Sequence, residues 1–268
     1  MNFEHLKRPV QIGFINWRGM YTLYCKEVYR FMKVSMQTLA APIVTSVLFM
    51  LVFSLALDGR ASPFEGASYM QFLAPGLVMM AVLQNAFANT SSSIMIGKVQ
   101  GNIVDILMPP MGSLELLVAL SLGGITRGVL VGLISMTILS FVANLGLPQN
   151  ILAASAFLLL GSCAMSLIGV LAGIWAAKYD SLAAITNFII QPLSFLSGTF
   201  YSIERLPDMI ERFANFNPFF LVIDGFRFGI LGMNDGPVLG GLIALFVLNV
   251  ALFAISYYVL ESGYKLKS

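Results

Sequence analysis

The sequence predicts an all-α integral membrane protein with six transmembrane helices, and three observations carry that reading. Only 10% of its 268 residues are charged, against 58% hydrophobic and a mean hydropathy of +0.85. A soluble domain carries about 25% charged residues, so too little polar side chain is present to solvate a globular surface. The apolar residues fall into six runs, 39–57, 69–96, 116–142, 151–177, 182–200 and 238–260, each able to supply the roughly 20 residues a helical span needs. The basic residues are distributed unevenly between the loops. With both termini cytoplasmic, Lys7, Arg8, Arg18, Lys26, Arg30, Lys33, Lys98, Lys178, Lys265 and Lys267 fall inside. Only Arg60, Arg205, Arg212 and Arg227 fall outside, as the positive-inside rule requires. The net charge of +2 is thus an orientation signal, not a nucleic-acid footprint.

The chain begins with residues 1–37, which lack an early apolar stretch followed by a small-residue cleavage site, so no removable signal peptide is expected. Within 11–35, Phe14, Trp17, Tyr21, Tyr24, Val28 and Phe31 recur at spacings of three and four. They form a stripe about 100° wide, with Lys26, Arg30 and Lys33 opposite. That pattern predicts a helix lying in the headgroup plane, rings towards lipid and cations towards anionic headgroups. A soluble helix packed on a partner by the same stripe is the other reading.

The second span contains Ala74-Pro75-Gly76, where a kink is expected. Asn85, Asn89 and Ser92 follow on one face with Gln84 and Ser91 beside it. They read equally as the lining of a pathway or as interhelical hydrogen-bond donors. The stretch from Met95 to Glu115, MIGKVQGNIVDILMPPMGSLE, is longer than a turn requires. Lys98 to Met108 predicts a short amphipathic surface helix, closed by Pro109-Pro110. Ile103, Ile106 and Leu107 lie on one face, with Lys98, Asn102 and Asp105 on another. Docking of a cytoplasmic partner and a plain loop on the headgroups both fit that spacing.

The third span carries Arg127 at depth, a buried charge that snorkels or pairs with a carboxylate of a neighbouring segment. Glu115 is about 18 Å away along the same helix and out of reach. Gly124, Gly128 and Gly132 form small-xxx-small pairs that permit a close helix contact. Between spans five and six, residues 201–236 are too apolar for a free loop. Pro207 and Asn217-Pro218 read as helix starts, giving two short outer helices near 207–216 and 218–231 that either dip back into the outer leaflet or lie flat on it as a cap. Asp208 and Arg212, and Asp224 and Arg227, are spaced for intrahelical ion pairs. No internal repeat or linker is visible, so one membrane domain spans 1–268.

Several chemistries find no residues here. No span holds the chain of buried acids or histidines of a proton-coupled carrier, and the lone histidine, His5, sits in the polar N-terminus. Cys25 and Cys163 show neither metal spacing nor a disulfide pattern, and no metal site is expected. No His-Glu-x-x-His motif, nucleophile elbow or phosphate-binding GxxxxGK[ST] loop is present. Energy for uphill transport would have to enter from a separate chain.

These residues together resemble the permease subunits of ABC-2 type exporters over almost the whole length. The strongest blocks are Tyr69–Met80 (YMQFLAPGLVMM), Asn85–Ser93, Gly97–Pro110 and Leu196–Ser202 (LSGTFYS). Leu206-Pro207, Asn217-Pro218 and Gly225–Pro237 (GFRFGILGMNDGP) complete the pattern. The resemblance implies a homodimer in the bacterial inner membrane with two copies of a cognate ATPase subunit bound beneath. No cofactor is implied in this chain, ATP and Mg belonging to the partner ATPase. The N-terminal segment, with Trp17, Arg18, Lys26 and Arg30, becomes the interface helix. Lys98, Val99, Gln100, Asn102, Ile103, Asp105 and Ile106 become the ATPase-coupling helix, and 203–231 the outer re-entrant helices. Asn85, Asn89 and Ser92, with the aromatics Phe200, Phe219 and Phe220, are the candidate translocation path for a lipid-like, amphipathic cargo. Compact loops set the chain apart from the polysaccharide exporters, leaving a glycan exporter and an ion-gradient-driven carrier as the alternatives.

Overall fold

The computed structural model describes residues 13–56, 68–202 and 217–265. His5, Arg60, Arg205, Arg212, Lys267 and the first outer helix expected near 207–216 lie outside them. Among the described residues every regular element is helical. Helix α1 is Trp17–Met32, α2 is Met36–Ala56, α3 is Tyr69–Val99, α4 is Ile103–Leu107 and α5 is Ser113–Ala143. Helix α6 is Ile151–Trp175, α7 covers 179–195, α8 is Pro218–Leu231 and α9 is Val238–Glu261.

The helix starts follow from local chemistry. Ser68 and Gln71 form a reciprocal capping box at the head of α3, satisfying two backbone N–H groups that have no intrahelical partner. The side chains of Asn16, Asn150 and Asn217 accept from the backbone N–H groups of Gly19, Ala153 and Phe219 at the heads of α1, α6 and α8. Gly232, at φ 73°, ends α8 in the left-handed conformation that glycine adopts without steric cost.

Two of the helices contain a single π-helical turn, Met36–Ala40 in α2 and Thr186–Ile190 in α7. Each turn is followed within two residues by a proline, Pro42 and Pro192. A proline inside a helix cannot donate to the carbonyl four residues back, and a locally wider turn is one way to accommodate that. Pro75, by contrast, sits inside α3 without ending it: the helix runs unbroken from Tyr69 to Val99.

Five helices, α2, α3, α5, α6 and α9, are long and apolar enough to cross a membrane. Where a span was expected at 182–200, α7 is helical only to Phe195, and the Leu196–Phe200 end of the run forms a bent turn. Burial separates the five sharply. Most of α3 is enclosed by protein (83% of its most apolar stretch), against 11% of α2 and 17% of α9. Helix α3 is therefore the axis of the bundle, wrapped by α5, α6 and α8, with α2 and α9 at the periphery.

Lipid tails are as apolar as leucine, so close packing and hydrogen bonds must hold such helices together. The α3–α5–α6 seam is built that way. A side chain at Gly128 would meet Ser162 of α6 at 3.0 Å and Ala86 of α3 at 3.2 Å; one at Gly132 would meet Val82 at 2.8 Å. Gly169 and Gly173 of α6 lie against the backbone carbonyls of Phe87 and Ser91. Across this seam Thr90 donates to the Ser166 carbonyl at 2.8 Å, and Ser166 to that of Ser121 at 3.0 Å.

Helix α8 starts deep, with Pro218 and Phe219 beside Leu83, Met165 and Leu248. It ends at the far surface, where Gly229 lies against Ala154 at the head of α6.

Candidate functional site

Two places on the molecule combine exposure with organised polar groups. The first is the end carrying α4. Sequence spacing suggested one helix from Lys98 to Met108; the structure divides that stretch. Lys98 and Val99 finish α3, Gln100 to Asn102 turn with Gly101 at φ 75°, and α4 is a single turn, Ile103–Leu107. Asp105 does not share a helix face with Lys98. The Lys98 ammonium donates to the Ile174 and Ala176 carbonyls, each at 2.7 Å. These are the last carbonyls of α6, which lack intrahelical donors, so Lys98 pins the end of α3 to the end of α6. Beyond that clamp, Ile103 and Ile106 turn inward, while Val99, Val104, Asp105 and Met108 are exposed. Gln100 and Asn102 are exposed at the turn.

Glu115 closes the other side of the same joint. Its carboxylate accepts the Asn16 backbone N–H at 2.6 Å and that of Gly112 at 2.7 Å. The head of α1 is thereby tied to the head of α5, directly after α4.

Helix α1 packs on α5 by part of its surface only. Leu23, Glu27 and Phe31, spaced by four, form its buried face against α5, and Tyr24 hydrogen-bonds Thr126 at 3.0 Å. Trp17, Arg18, Tyr21 and Lys26 are exposed, and Phe14 is fully so. Arg30, assigned to an outward basic stripe, turns inward. It pairs with Glu27 at 3.0 Å and donates to the Asn89 carbonyl at 2.6 Å and the Ser92 hydroxyl at 3.1 Å. Glu27, for its part, accepts from Ser93 at 2.7 Å. The reason is space: a Cβ at Gly123 of α5 would meet the Glu27 Cβ at 2.7 Å, so only the missing side chain there lets the carboxylate in. Sequence reasoning missed Glu27, whose basic neighbours hid it.

The second place is a cavity of about 720 Å³ between the end of α1, α2, α3 and α5. It follows α3 from Ile96 to Leu77, about 28 Å at helical rise. Arg30, Ser92, Gln84, Asn85 and Arg127 line it, with Phe49, Leu77 and Met80 on its apolar wall. Among the described residues Arg127 meets no carboxylate. Its Nε and one terminal nitrogen donate to Asn85 Oδ1 at 3.2 and 2.9 Å, and Asn85 is held by its own amide bond to the Ala81 carbonyl at 2.9 Å.

The candidate path residues thus separate. Asn85 and Ser92 face the cavity, whereas Asn89 is fully buried and serves as an anchor for Arg30. Phe219 and Phe220 are buried in the core at the start of α8. Phe200 joins an aromatic cluster with Phe49, Phe53 and Phe195 at centroid distances of 4.7–5.8 Å. Phe49 alone links that cluster to the cavity wall.

At the far end, the expected Asp224–Arg227 pair is present at 3.8 Å and fully enclosed. Arg227 also donates to the Gly198 carbonyl at 2.7 Å and stacks 4.0 Å over the Phe72 ring. Asp224 accepts the Asp235 and Gly236 N–H groups at 2.8 and 2.9 Å. These are structural bonds that fold the LSGTFYS turn and the 232–237 loop onto α8.

A bundle of apolar helices with a polar-lined cavity on one side and a short helix displayed at one end fits a membrane transport protein. The chain belongs to the ABC-2 type transporter family, whose model matches residues 18–231. It is 34% identical over 252 residues to the inner membrane transport permease YadH of Escherichia coli strain K12, covering 94% of this chain and 98% of that one. YadH of Shigella flexneri matches to the same extent. Nodulation protein J of Sinorhizobium fredii strain NBRC 101917 / NGR234 is 25% identical over 256 residues, or 92% and 90% of the two chains. The chain is thus a multi-pass inner-membrane permease, a transport subunit of a family that works with an ATPase partner.

Proposed function

We propose that this chain is the membrane half of an ATP-driven exporter. It acts as a homodimer with two copies of a cognate ATPase, which supplies the ATP and Mg that no motif in this sequence binds. Both termini lie in the cytoplasm, α7 makes the remaining crossing to give six, α1 lies at the cytoplasmic interface, and α8 is an outer re-entrant helix. The cargo is an amphipathic, lipid-like molecule.

The observation that carries this reading is the α4 joint. A single exposed turn with Val104, Asp105 and Met108 outward is too short to be stable alone, yet both its flanks are pinned. Lys98 fixes its entry to α6 and Glu115 fixes its exit to α1. A partner that moved α4 would therefore move four helices with it, α3 and α6 on one flank and α5 and α1 on the other. An ion-gradient carrier would call for a carboxylate beside Arg127; the Asn85 amide stands there. In the glycan alternative the same joint would serve a different cargo.

The test leaves the clamp intact. Val104→Asp with Met108→Asp, made with Lys98 and Glu115 unchanged, should abolish co-purification of an ATPase from native membranes in mild detergent, while yield and monodispersity match the wild type. Recovery of the ATPase at wild-type stoichiometry with that variant, or no ATPase with the wild type, would sink the reading.

A further inference from the structure

We propose that the α1–α2–α3–α5 cavity holds the anionic headgroup of an amphiphile, with Arg127 as the residue that meets its charge. This rests on the exporter reading for its physiological meaning and names the chemistry of the cargo; the binding itself is independent of the ATPase.

Among the described residues the lining contains two guanidinium groups and no carboxylate. Arg30 is already neutralised by Glu27. Arg127 is not: among the described residues it enters no salt bridge, and both of its hydrogen bonds go to one neutral oxygen, Asn85 Oδ1. A charge held among apolar helices without a counter-ion is costly, and one retained there faces a pathway or a partner. Asn85 fixes the guanidinium by one edge, leaving its second terminal nitrogen without a hydrogen bond. A phosphate, sulfate or carboxylate is the planar-fork complement of that arrangement. Gln84 adds a neutral polar group beside it.

The cavity also has a direction. Leu77 lies eight residues beyond Asn85 on α3, about 12 Å away. Together with Met80 and Phe49 it makes an apolar continuation of the charged section. A free anion would have no use for that length, whereas an acyl or prenyl chain would fill it. The volume falls within the range of small-molecule sites.

The test measures lipid retention by the purified permease alone, by native mass spectrometry, with phosphatidic acid, phosphatidylcholine of the same chains, and glycerol 3-phosphate as the chainless anion. The wild type should retain phosphatidic acid about tenfold over phosphatidylcholine, close to the low end of what one hydrogen bond to a charged group contributes. Arg127→Gln should erase the preference and Arg127→Lys should keep most of it. Gln84→Glu leaves Arg127 and its Asn85 bonds in place but adds a carboxylate to the lining, and it should erase the preference too. Equal retention of both lipids by the wild type, or a preference that survives both Arg127→Gln and Gln84→Glu, would overturn the proposal. Displacement of phosphatidic acid by glycerol 3-phosphate at matched concentration would overturn the amphiphile in favour of a soluble anion. An ATPase captured without any lipid preference removes this site and leaves the exporter standing; lipid preference without an ATPase does the reverse.

Discussion

On one side of α3, Thr90, Ser91 and Phe87 press against Gly169 and Gly173 of α6, and the hydroxyls bond to carbonyls. On the other side, Gln84, Asn85 and Ser92 border a cavity with two arginines. Both faces carry uncharged polar side chains of one helix; what differs most is the neighbour. Where the neighbour is glycine, the helices close to backbone contact and a polar side chain becomes glue. Where the neighbouring side chain is long and charged, Arg30 or Arg127, the helices stand apart and the same polar groups line a space. A membrane helix can thus be a fastening on one face and a binding surface on the other.

The comparison breaks most visibly at the seam. Gly169→Leu would drive a side chain into the Phe87 carbonyl, 2.6 Å from where its Cβ would stand. Overpacking costs 1–3 kcal/mol when side chains can yield, and a backbone carbonyl yields less. About 3 kcal/mol or more is expected, read as a large fall in thermal stability or loss of monodisperse protein in detergent.

Next is Glu27→Gln, at the border between the two faces. It leaves Arg30 without its counter-charge among Asn89, Ser92 and Ser93. Breaking a buried pair costs about 3–5 kcal/mol. Arg30 is partly exposed, at 27%, so about 2 kcal/mol is expected by thermal unfolding. The double variant Glu27→Gln with Arg30→Gln should recover part of that loss, because it removes the stranded charge.

The smallest effect sharpens the contrast. Thr90→Val removes one interhelical bond worth about 0.6 kcal/mol in a membrane protein, with no change in lipid preference. Gln84→Leu should change stability by less than about 0.5 kcal/mol and alter retention of anionic lipid instead. A reversal of those two readouts would mean that the faces have been assigned the wrong way round.

These differences explain what the chain disclosed in advance. Apolar runs and loop charges located five of the long helices, because lipid makes hydropathy decisive. Pro109-Pro110 marked where α4 ends. The run at 182–200 misled at its outer end, where Gly198 and Thr199 bend to meet Arg227 and Gly76. The spacing of Asn85, Asn89 and Ser92 puts them on one helical face, yet their separate uses depend on Arg30 and Arg127 arriving from other helices. Lys98 was misread for a similar reason: its partners are main-chain carbonyls more than seventy residues away, and a carbonyl has no letter in the sequence. Glu27 could have been found only by matching it with Gly123, a pairing between distant segments.

The Glu115 bond to Asn16 has a consequence for how the protein is made. The two residues are separated by 99 positions. At about 5–20 residues per second, roughly 5–20 s of synthesis pass after α1 leaves the ribosome before its anchor exists. Ser93 of α3 can reach Glu27 earlier, but the helix that α1 chiefly packs on, α5, has still to be threaded into the bilayer. Helix α1 is therefore made well before the residue that fixes its head, and it settles late for a helix made early.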